Sequence, residues 1–387
     1  MGDGEGSVAG VVLTERPGQA QLSTDVASLR RTYAGRRVLV TGHTGFKGAW
    51  LAFWLARLGA DVHGISLAPD GDRPNLFTDG RLAVKCVSRL EDIRDAEAVS
   101  AAVSDIKPEF VFHLAARALV QQGYEDPLAT FATNIMGTAN VLEAARATSS
   151  VRAVVCVTTD KVYRNHEWPW PYRETDELGG LDAYAASKAG AEMVARAYRH
   201  ALRPGDRPFA LATARGGNVL GGGDFSPHRL VPDIVRALTA GKALALRNPQ
   251  ALRPWQHVLD LCHGYLRLGS ALTQGGIDDV EAVNFGPVPG GELPVRDLVD
   301  AFLAEWGKPD QPVEYAPDTR YEATTLRLDS SQAAHRLGWV PMLDTRATLA
   351  WSARWYRAHA ENPGGAAKLV DADLAAYEAL LERTDDA

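Results

Sequence analysis

The chain has 387 residues, a length that suggests two to three domains. Hydrophobic residues make up 46% and charged residues 23%, which excludes disordered and fibrous proteins. The formal net charge is −7 without any basic block, so we expect no nucleic-acid partner, and no apolar run approaches the ~18 residues of a membrane-spanning helix.

The cysteines and the N-terminal segment bear on location. The three cysteines are widely spaced and match no metal-binding pattern, so we interpret them as reduced thiols and expect a cytoplasmic protein without a metal site. The first residues lack the basic and apolar segments of a signal peptide. Residues 1–35 are Gly-rich and weakly periodic, and we predict that they form an extension or arm.

After this segment, short apolar runs alternate with stretches of helix length. The first run, 38–40, leads to Gly42, and Trp50, Trp54 and Leu58 then recur at helical spacing. Further runs of the same kind follow, and this alternation predicts an α/β fold with a doubly wound parallel sheet, Rossmann-like, covered on both faces.

Beyond residue 220, scattered Pro and Gly with isolated helical segments predict a second, smaller, mostly helical C-terminal domain. We assign 36–220 and about 256–288 to the first, Rossmann-like domain, and about 221–255 and 289–387 to the second domain.

A glycine-rich loop follows the first predicted strand and opens the first strong helix. Gly42 permits the tight turn, Gly45 lets the backbone approach a pyrophosphate, and Gly48 lets the helix lie close to the strand. The alternative is an ordinary strand-to-helix turn. The cofactor-binding candidates here are Gly42, Thr44, Gly45, Phe46, Lys47 and Gly48.

The acid expected to bind the ribose is not well placed after the second strand, because Asp61 precedes that strand and Asp70 lies beyond it. The choice between NAD and NADP therefore stays open at this position, with NAD favoured. Asp92 and Ile93, after the third strand, are candidates to flank the adenine.

Two clusters predict proton-transfer chemistry. Tyr184 and Lys188 lie at i and i+4 on a predicted helix, where a nearby ammonium would lower the Tyr pKa. Thr159, Asp160 and Lys161 end a buried strand, and ligands bind at the carboxyl ends of parallel strands. The alternative for Asp160 and Lys161 is a strand-end ion pair of small energetic value.

These motifs resemble the extended short-chain dehydrogenase/reductases, and within them the NDP-sugar 4,6-dehydratase branch. The loop at 42–48, His-Leu-Ala-Ala at 113–116, Asn-Ile-Met-Gly-Thr at 134–138 and the Tyr184/Lys188 pair carry the wider resemblance. Thr-Thr-Asp-Lys at 158–161 and Arg-Pro-Trp-Gln-His-Val at 253–258 are similar to the CDP-glucose 4,6-dehydratase subgroup.

The resemblance implies a dehydration that consumes no net NAD, with tightly bound NAD, a nucleotide-activated hexose (CDP-glucose favoured) and a homodimer. Tyr184, helped by Lys188 and Thr159, would remove the proton of the C4 hydroxyl while hydride passes from C4 to NAD. Asp160 would then protonate the leaving C6 hydroxyl, and Lys161 would be the base or electrostatic support. It further implies cofactor contacts from Leu114, Ala115, Ala116, Asn134 and Thr158, and substrate contacts from Asn218, Arg229, Arg247, Arg253 and His257.

Segments 117–123 and 225–228 depart from the subgroup's usual residues, and we expect both near the sugar or nucleotide. Two other functions stay open. A nucleotide-sugar epimerase or reductase would need Tyr184 and Lys188 but not an acid and base at 160 and 161. A non-catalytic NAD-binding protein is disfavoured because both Tyr184 and Lys188 are present.

Overall fold

The computed structural model describes residues 26–201, 209–246, 248–315 and 325–385. Its strands are β1 (Arg37–Thr41), β2 (Asp61–Ser66), β3 (Val87–Leu90), β4 (Phe110–His113), β5 (Ala153–Val157), β6 (Ala210–Gly216), β7 (Asn218–Leu220), β8 (Leu244–Leu246), β9 (Leu252–Arg253), β10 (Trp255–His257), β11 (Ala282–Phe285), β12 (Leu293–Pro294) and β13 (Val313–Tyr315).

The α-helices are α1 (Val26–Tyr33), α2 (Phe46–Arg57), α3 (Leu76–Asp79), α4 (Ala96–Ile106), α5 (Val120–Glu125), α6 (Pro127–Phe131), α7 (Gly137–Ala147), α8 (Ala183–Ala201), α9 (Leu230–Ala240), α10 (Val258–Gln274), α11 (Val295–Trp306), α12 (Ser331–Leu337), α13 (Thr345–Glu361) and α14 (Ala366–Asp385). A π-helical turn, Ala132–Met136, joins α6 to α7, and 3₁₀ turns cover Leu82–Val84, Asp160–Val162 and Pro363–Gly365.

Seven strands form one sheet in the order β11-β6-β5-β4-β1-β2-β3, and every pair in it is parallel. The direction of winding reverses between β1 and β4, which creates the crevice where ligands bind in such sheets. The doubly wound parallel sheet predicted from the sequence is therefore confirmed.

Alternation along the strands explains why the sheet is covered on both faces. Val38 and Val40 of β1 belong to the apolar cluster that includes α1, α2 and α10. Leu39, between them, belongs to the opposite cluster with α4, α7 and α8. Because successive side chains of a strand point to opposite faces, apolar residues at consecutive positions require two helical layers.

The arm expected over residues 1–35 is wrong for its last part, while residues 1–25 lie outside the described ones. Residues 26–33 form α1, in which Val26, Leu29 and Tyr33 are buried. The Tyr33 hydroxyl donates to the Leu266 carbonyl of α10 at 2.6 Å. The i, i+3, i+7 spacing of these apolar residues gives α1 a buried face that holds it on the sheet's helical layer.

The chain beyond β6 forms short strand pairs, β7 with β10, β8 with β13 and β9 with β12, together with α9 and α11–α13. The last helix, α14, packs against α13 of this group and also against α1, α2 and α3 of the first half of the chain. One apolar cluster contains residues of both halves of the chain. The division into a cofactor and a substrate domain stays a prediction.

No helix among the described residues is long and apolar enough to span a membrane.

Candidate functional site

The glycine loop connects β1 to α2 at the carboxyl edge of the sheet. The Gly42 amide donates to the Ile65 carbonyl of β2 at 2.8 Å, and a Cβ at Gly42 would lie 2.7 Å from the Ala115 amide nitrogen. A Cβ at Gly48 would lie 2.1 Å from the Gly42 carbonyl oxygen. Both positions therefore require glycine, since no side chain fits between the loop and its neighbours.

The start of α2 fits a dinucleotide. Gly45 is the residue that caps the helix, and it supplies no side chain to the free N–H groups of the first turn. These N–H groups and the helix dipole favour a phosphate. The Thr44 hydroxyl instead lies 2.6 Å from the Ser66 hydroxyl of β2 and donates to the Leu67 carbonyl, which fixes the loop to the second strand. The residues present therefore fit the pyrophosphate of NAD.

The ends of β2 and β3 lie beside this loop. Asp92 accepts hydrogen bonds from the Arg94 guanidinium, which lowers the pKa of its carboxyl. Ile93 is buried, and its side chain fills the space beside Gly137 of α7. Asp70 pairs with Arg73 in an exposed loop. The structure thus adds no further carboxylate at the β2 tip that would decide between NAD and NADP.

Leu114, Ala115 and Ala116 directly follow β4, and this segment crosses the glycine loop. The Ala115 amide donates to the Thr41 hydroxyl at 3.2 Å. Asn134, in the π-helical turn, is buried and uses its amide on protein groups: it accepts from the Arg117 amide at 2.8 Å and donates to the Ser187 hydroxyl at 2.8 Å. Asn134 therefore braces the β4 loop against α8.

The 3₁₀ turn after β5 carries the hydroxyl, the carboxylate and the ammonium that the sequence predicted. The Thr159 hydroxyl donates to Asp160 Oδ1 at 2.9 Å, and the Lys161 amide donates to the Thr159 hydroxyl at 3.4 Å. Asp160 is 2% exposed, and its Oδ2 has no hydrogen-bond partner among the described residues. A buried, half-satisfied carboxyl is costly unless a ligand completes it.

Tyr184 lies at the start of α8, beside this turn. Burial raises the pKa of its phenol to about 12, although the hydrogen bond with the Thr159 hydroxyl and the charge of the Arg229 guanidinium oppose the shift. The expectation that Lys188 would lower this pKa is wrong for the protein alone. The Lys188 ammonium donates instead to the Val157 carbonyl at 3.0 Å, and burial lowers its own pKa to about 8.

Sequence reasoning missed Glu192, which is one turn beyond Lys188 on the same face of α8. Its buried carboxylate accepts from the hydroxyl of Thr158 at 2.5 Å and of Thr213 at 2.7 Å. Arg215 of β6 pairs with it at 2.9 Å. The spacing of Tyr184, Lys188 and Glu192 at i, i+4 and i+8 was the available signal. The pair fixes α8 to the ends of β5 and β6.

A cavity of about 380 Å³ opens at this edge of the sheet, a size within the range of small-molecule sites. Its reaction end is lined by Lys47, Thr159, Asp160, Lys161 and Tyr184. Asn218, Arg229 and Arg253 also line the cavity, and Arg229 lies close enough to Tyr184 and Lys47 to lower the pKa of both. The structure therefore brings together in one cavity residues that the sequence predicted from separate segments of the chain.

Arg229 and Arg253, two arginines that line the cavity, differ in what their guanidinium groups contact. Arg229 pairs with Asp224 at 2.9 Å. Arg253 is buried and donates to the Leu252 carbonyl at 2.9 Å. Arg247 lies outside the described residues.

The two segments that depart from the resembled subgroup also reach the cavity, which Ala118, Gln121 and His228 line.

His257 is not among the residues that line this cavity, and its predicted contact with the substrate stays a prediction. Its Nδ1 accepts from the Leu259 amide at 3.3 Å and caps α10, while its ring lies edge-on to Trp351. Burial lowers the pKa of this imidazole to about 3. The buried Nε2 of the neutral ring has no hydrogen-bond partner among the described residues.

Comparisons with known proteins agree with this geometry. Residues 39–350 match the family described as GDP-mannose 4,6 dehydratase. A CDP-glucose 4,6-dehydratase of Salmonella typhimurium is 41% identical over 331 residues, which cover 84% of this chain and 92% of the relative. A UDP-glucose 4-epimerase of Mycolicibacterium smegmatis is 29% identical over 328 residues, covering 83% and 98%.

Among solved structures, the dTDP-glucose 4,6-dehydratase DesIV of Streptomyces venezuelae, with NAD and TYD bound, superposes with a TM-score of 0.73. It is 28% identical, and the match covers 85% of this chain and 98% of that one. A UDP-glucose 4-epimerase of Thermus thermophilus in complex with NAD gives a TM-score of 0.71 at 26% identity, covering 83% and 99%. Dehydratases and epimerases thus share this fold.

Proposed function

The chain belongs to the GDP-mannose 4,6 dehydratase family and is an NAD-dependent nucleotide-sugar 4,6-dehydratase, a hydro-lyase, and from that premise we propose that its substrate is CDP-glucose. The product would be CDP-4-dehydro-6-deoxyglucose. The relative at 41% identity supports the choice of nucleotide. The observation that carries the proposal is the acid-bearing turn beside Tyr184, because an epimerase has no necessary use for Asp160.

The first step is oxidation at C4 of the hexose. NAD, held by the glycine loop at 42–48, would supply the hydride acceptor for the oxidation at C4 and the hydride donor for C6. Tyr184 receives the proton of the C4 hydroxyl, and Thr159, hydrogen-bonded to Tyr184, holds the phenol in place. A general base of this kind typically contributes 10²–10⁴-fold to the rate. Lys188 is buried on the same face of α8, where its ammonium donates to the Val157 carbonyl.

The second step is elimination of water across C5 and C6. A ketone at C4 makes the C5 proton acidic, and Lys161 serves as its base or as electrostatic support. Asp160 donates a proton to the leaving C6 hydroxyl. Its Oδ2 is the buried oxygen that the protein leaves without a partner among the described residues, so it is available to the substrate.

The nucleotide would occupy the same cavity as the hexose. Arg253 would meet the diphosphate, since a planar guanidinium suits phosphate oxygens, and Asn218 and Arg229 would hold the sugar and the nucleotide. Burial of Arg253 makes it a strong partner for an anion, because little bulk water screens its charge.

The decisive experiment incubates purified protein with CDP-, dTDP-, GDP- and UDP-hexoses in deuterated water, without added cofactor, and follows masses. We expect CDP-glucose alone to lose one water and gain one solvent deuterium, which also requires that the protein retains NAD through purification. Turnover of another nucleotide sugar keeps the dehydratase and overturns the CDP-glucose proposal. Activity that requires added NAD overturns the tight binding.

Asp160→Asn separates elimination from oxidation. We expect water loss to fall about 10²–10⁴-fold, while recovered CDP-glucose still gains deuterium at C5, because oxidation at C4 persists. Asp233→Asn, which changes another carboxylate of the cavity wall, is the matched control. Elimination at the normal rate in Asp160→Asn would refute the acid role and favour an epimerase or reductase.

We also propose a homodimer that acts in the cytoplasm. Leu128, Met136 and Met193 are exposed on α6, the π-helical turn and α8, which adjoin one another. Three large apolar side chains on neighbouring helices are typical of an interface. Light scattering is expected to give twice the chain mass for the unchanged protein and the mass of one chain for Met193→Glu. A monomeric mass for the unchanged protein contradicts the proposal.

Cell fractionation tests the location, which the buried thiols Cys86, Cys156 and Cys262 support.

A further inference from the structure

Lys47 belongs to two parts of the site at once. Its backbone is part of the glycine loop that opens α2, and the Cys262 thiol of α10 lies 3.9 Å from its carbonyl oxygen. Its side chain lines the reaction end of the cavity together with Asp160 and Tyr184. A single residue therefore joins the place where a dinucleotide is held to the place where the sugar reacts.

A lysine is an unfavourable choice at this position for the stability of the protein. It lies in the first turn of α2, where the helix dipole disfavours a cation. Burial, the Arg229 guanidinium and the Lys188 ammonium together lower its pKa to about 8, so at pH 7 the charge remains but is held at a cost. Residues that break local rules in this way are expected at functional positions.

The charges around Lys47 do not neutralise it. Arg229 and Lys188 are cations, and Asp160 is the carboxylate whose field acts on it. Arg229 is already paired with Asp224. Within the described ranges, the Lys47 ammonium takes part in no hydrogen bond or ion pair. The reaction end of the cavity thus has an excess of positive charge before any ligand binds.

We propose that Lys47 sets the oxidising strength of the bound nicotinamide. Hydride transfer from a sugar at Tyr184 requires the nicotinamide to reach the cavity that Lys47 lines. The oxidised ring is a cation and the reduced ring is neutral, so a nearby fixed cation raises the free energy of the oxidised form only. The result favours oxidation at C4, the first step of the proposed function on which this inference rests.

The competing role is a simple counter-ion for the cofactor diphosphate. The two roles differ in one measurable respect. The diphosphate is the same in NAD and NADH, so a counter-ion strengthens the binding of both equally. A residue that acts on the ring changes the ratio of their dissociation constants and leaves its mark even when no sugar is present.

The test exchanges the purified protein against an equimolar mixture of NAD and NADH and quantifies the bound cofactors by chromatography. We expect Lys47→Met to shift the bound ratio toward NAD about tenfold relative to the unchanged protein. Lys47→Arg, which keeps the charge, is expected to keep the ratio within threefold. Melting temperature serves as the folding control, and we expect Lys47→Met to melt no lower than the unchanged protein.

An unchanged ratio in a folded Lys47→Met overturns the inference, and equal weakening of both cofactors assigns Lys47 to the diphosphate. A ratio that shifts equally in Lys47→Arg also overturns it, because the effect then follows side-chain shape and not charge. The measurement uses no nucleotide sugar. A failure of CDP-glucose as substrate is therefore seen separately in the sugar panel and leaves this result intact.

Discussion

Tyr184 illustrates what a single side chain needs from its surroundings. In the protein alone its phenol is buried with a pKa of about 12, so it holds its proton at neutral pH. Among the cations of the site, the Arg229 guanidinium is the one that lowers this pKa, since Lys188 donates to a main-chain carbonyl. Tyr184 therefore cannot accept a proton until bound ligands change the charges around it.

Replacing Tyr184 by Phe tests this residue directly. Because the phenol accepts the C4 proton, we expect Tyr184→Phe to lower kcat about 10²–10⁴-fold. Tyr198→Phe, on the exposed part of the same helix, removes a hydroxyl that donates to Glu143 and should leave kcat unchanged. Steady-state kinetics on the nucleotide sugar measures both, and full activity in Tyr184→Phe would exclude the residue from catalysis.

Asp260 gives a pH dependence of stability. It is buried in α10, where its Oδ1 accepts from the Tyr377 hydroxyl at 2.6 Å and the Met342 amide at 2.7 Å, and burial raises its pKa to about 7. The folded carboxyl keeps its proton up to a higher pH than the unfolded one, whose pKa is about 4. The free energy of unfolding therefore decreases as the pH rises from about 4 to about 7.

Asp260→Asn resembles the protonated carboxyl and removes this dependence. We expect a gain in the free energy of unfolding of up to about 4 kcal/mol at pH 8 and no gain at pH 4. Denaturant titrations at both pH values provide the measurement, with the exposed Asp310→Asn as control. A gain of the same size at pH 4 would show that charge is not the cause.

At the scale of elements, the start of α2 depends on the absence of side chains. A Cβ at Gly48 would lie 2.1 Å from the Gly42 carbonyl, so Gly48→Ala must push the helix away from β1. We expect the loss of retained NAD and a lower melting temperature. Gly71→Ala, with no atom within 4 Å of the added carbon, should change neither. The measurement is the amount of NAD that each variant retains after purification, and a normal amount in Gly48→Ala contradicts the prediction.

The sequence predicted some elements and not others, for reasons that differ. β1 and α2 were predictable because an apolar run, glycine punctuation and helical spacing agree there. α1 was read as part of an arm, because Arg30 and Arg31 mask the three apolar residues of its buried face. The short strands beyond β6 that pair outside the main sheet have two or three residues each, and only tertiary pairing creates them.

The candidate site, like the fold, could be predicted from the sequence only in part. Asp160, Tyr184 and the glycine loop lie in recognisable motifs, and the structure brings them together. Arg253 and His257 belong to one sequence motif, yet Arg253 lines the cavity and His257 caps α10. Sequence alone could not separate them, since Arg253 ends β9, which pairs with β12, whereas His257 ends β10, which pairs with β7, and only the folded chain creates these two pairings.

At the scale of the whole molecule, the C-terminal helix α14 packs against helices from the first half of the chain. Glu378 of α14 accepts from the Trp54 indole at 3.1 Å and from Arg57 at 2.8 Å, both in α2. Tyr377 packs edge-on against the Trp54 ring. The helix that follows the glycine loop is thus supported on its outer side by Tyr377 and Glu378 of α14.

Glu378→Ala leaves the buried Trp54 N–H without its acceptor and Arg57 without its partner. We expect it to lower the free energy of unfolding by about 2–3 kcal/mol. The exposed Glu382→Ala on the same helix should change it by less than about 0.5 kcal/mol. Urea unfolding compares the two variants, and equal effects would mean that the contact to α2 contributes nothing.

The contact between Trp54 and Glu378 also affects how the chain folds during its synthesis on the ribosome. Trp54 and Glu378 are separated by 324 residues, which at ~5–20 residues per second of synthesis is a delay of about 16–65 s. Throughout that interval the nascent chain carries the outer face of α2 without its cover. During that time chaperones that bind apolar segments have access to this face of the emerging polypeptide, until α14 has been translated.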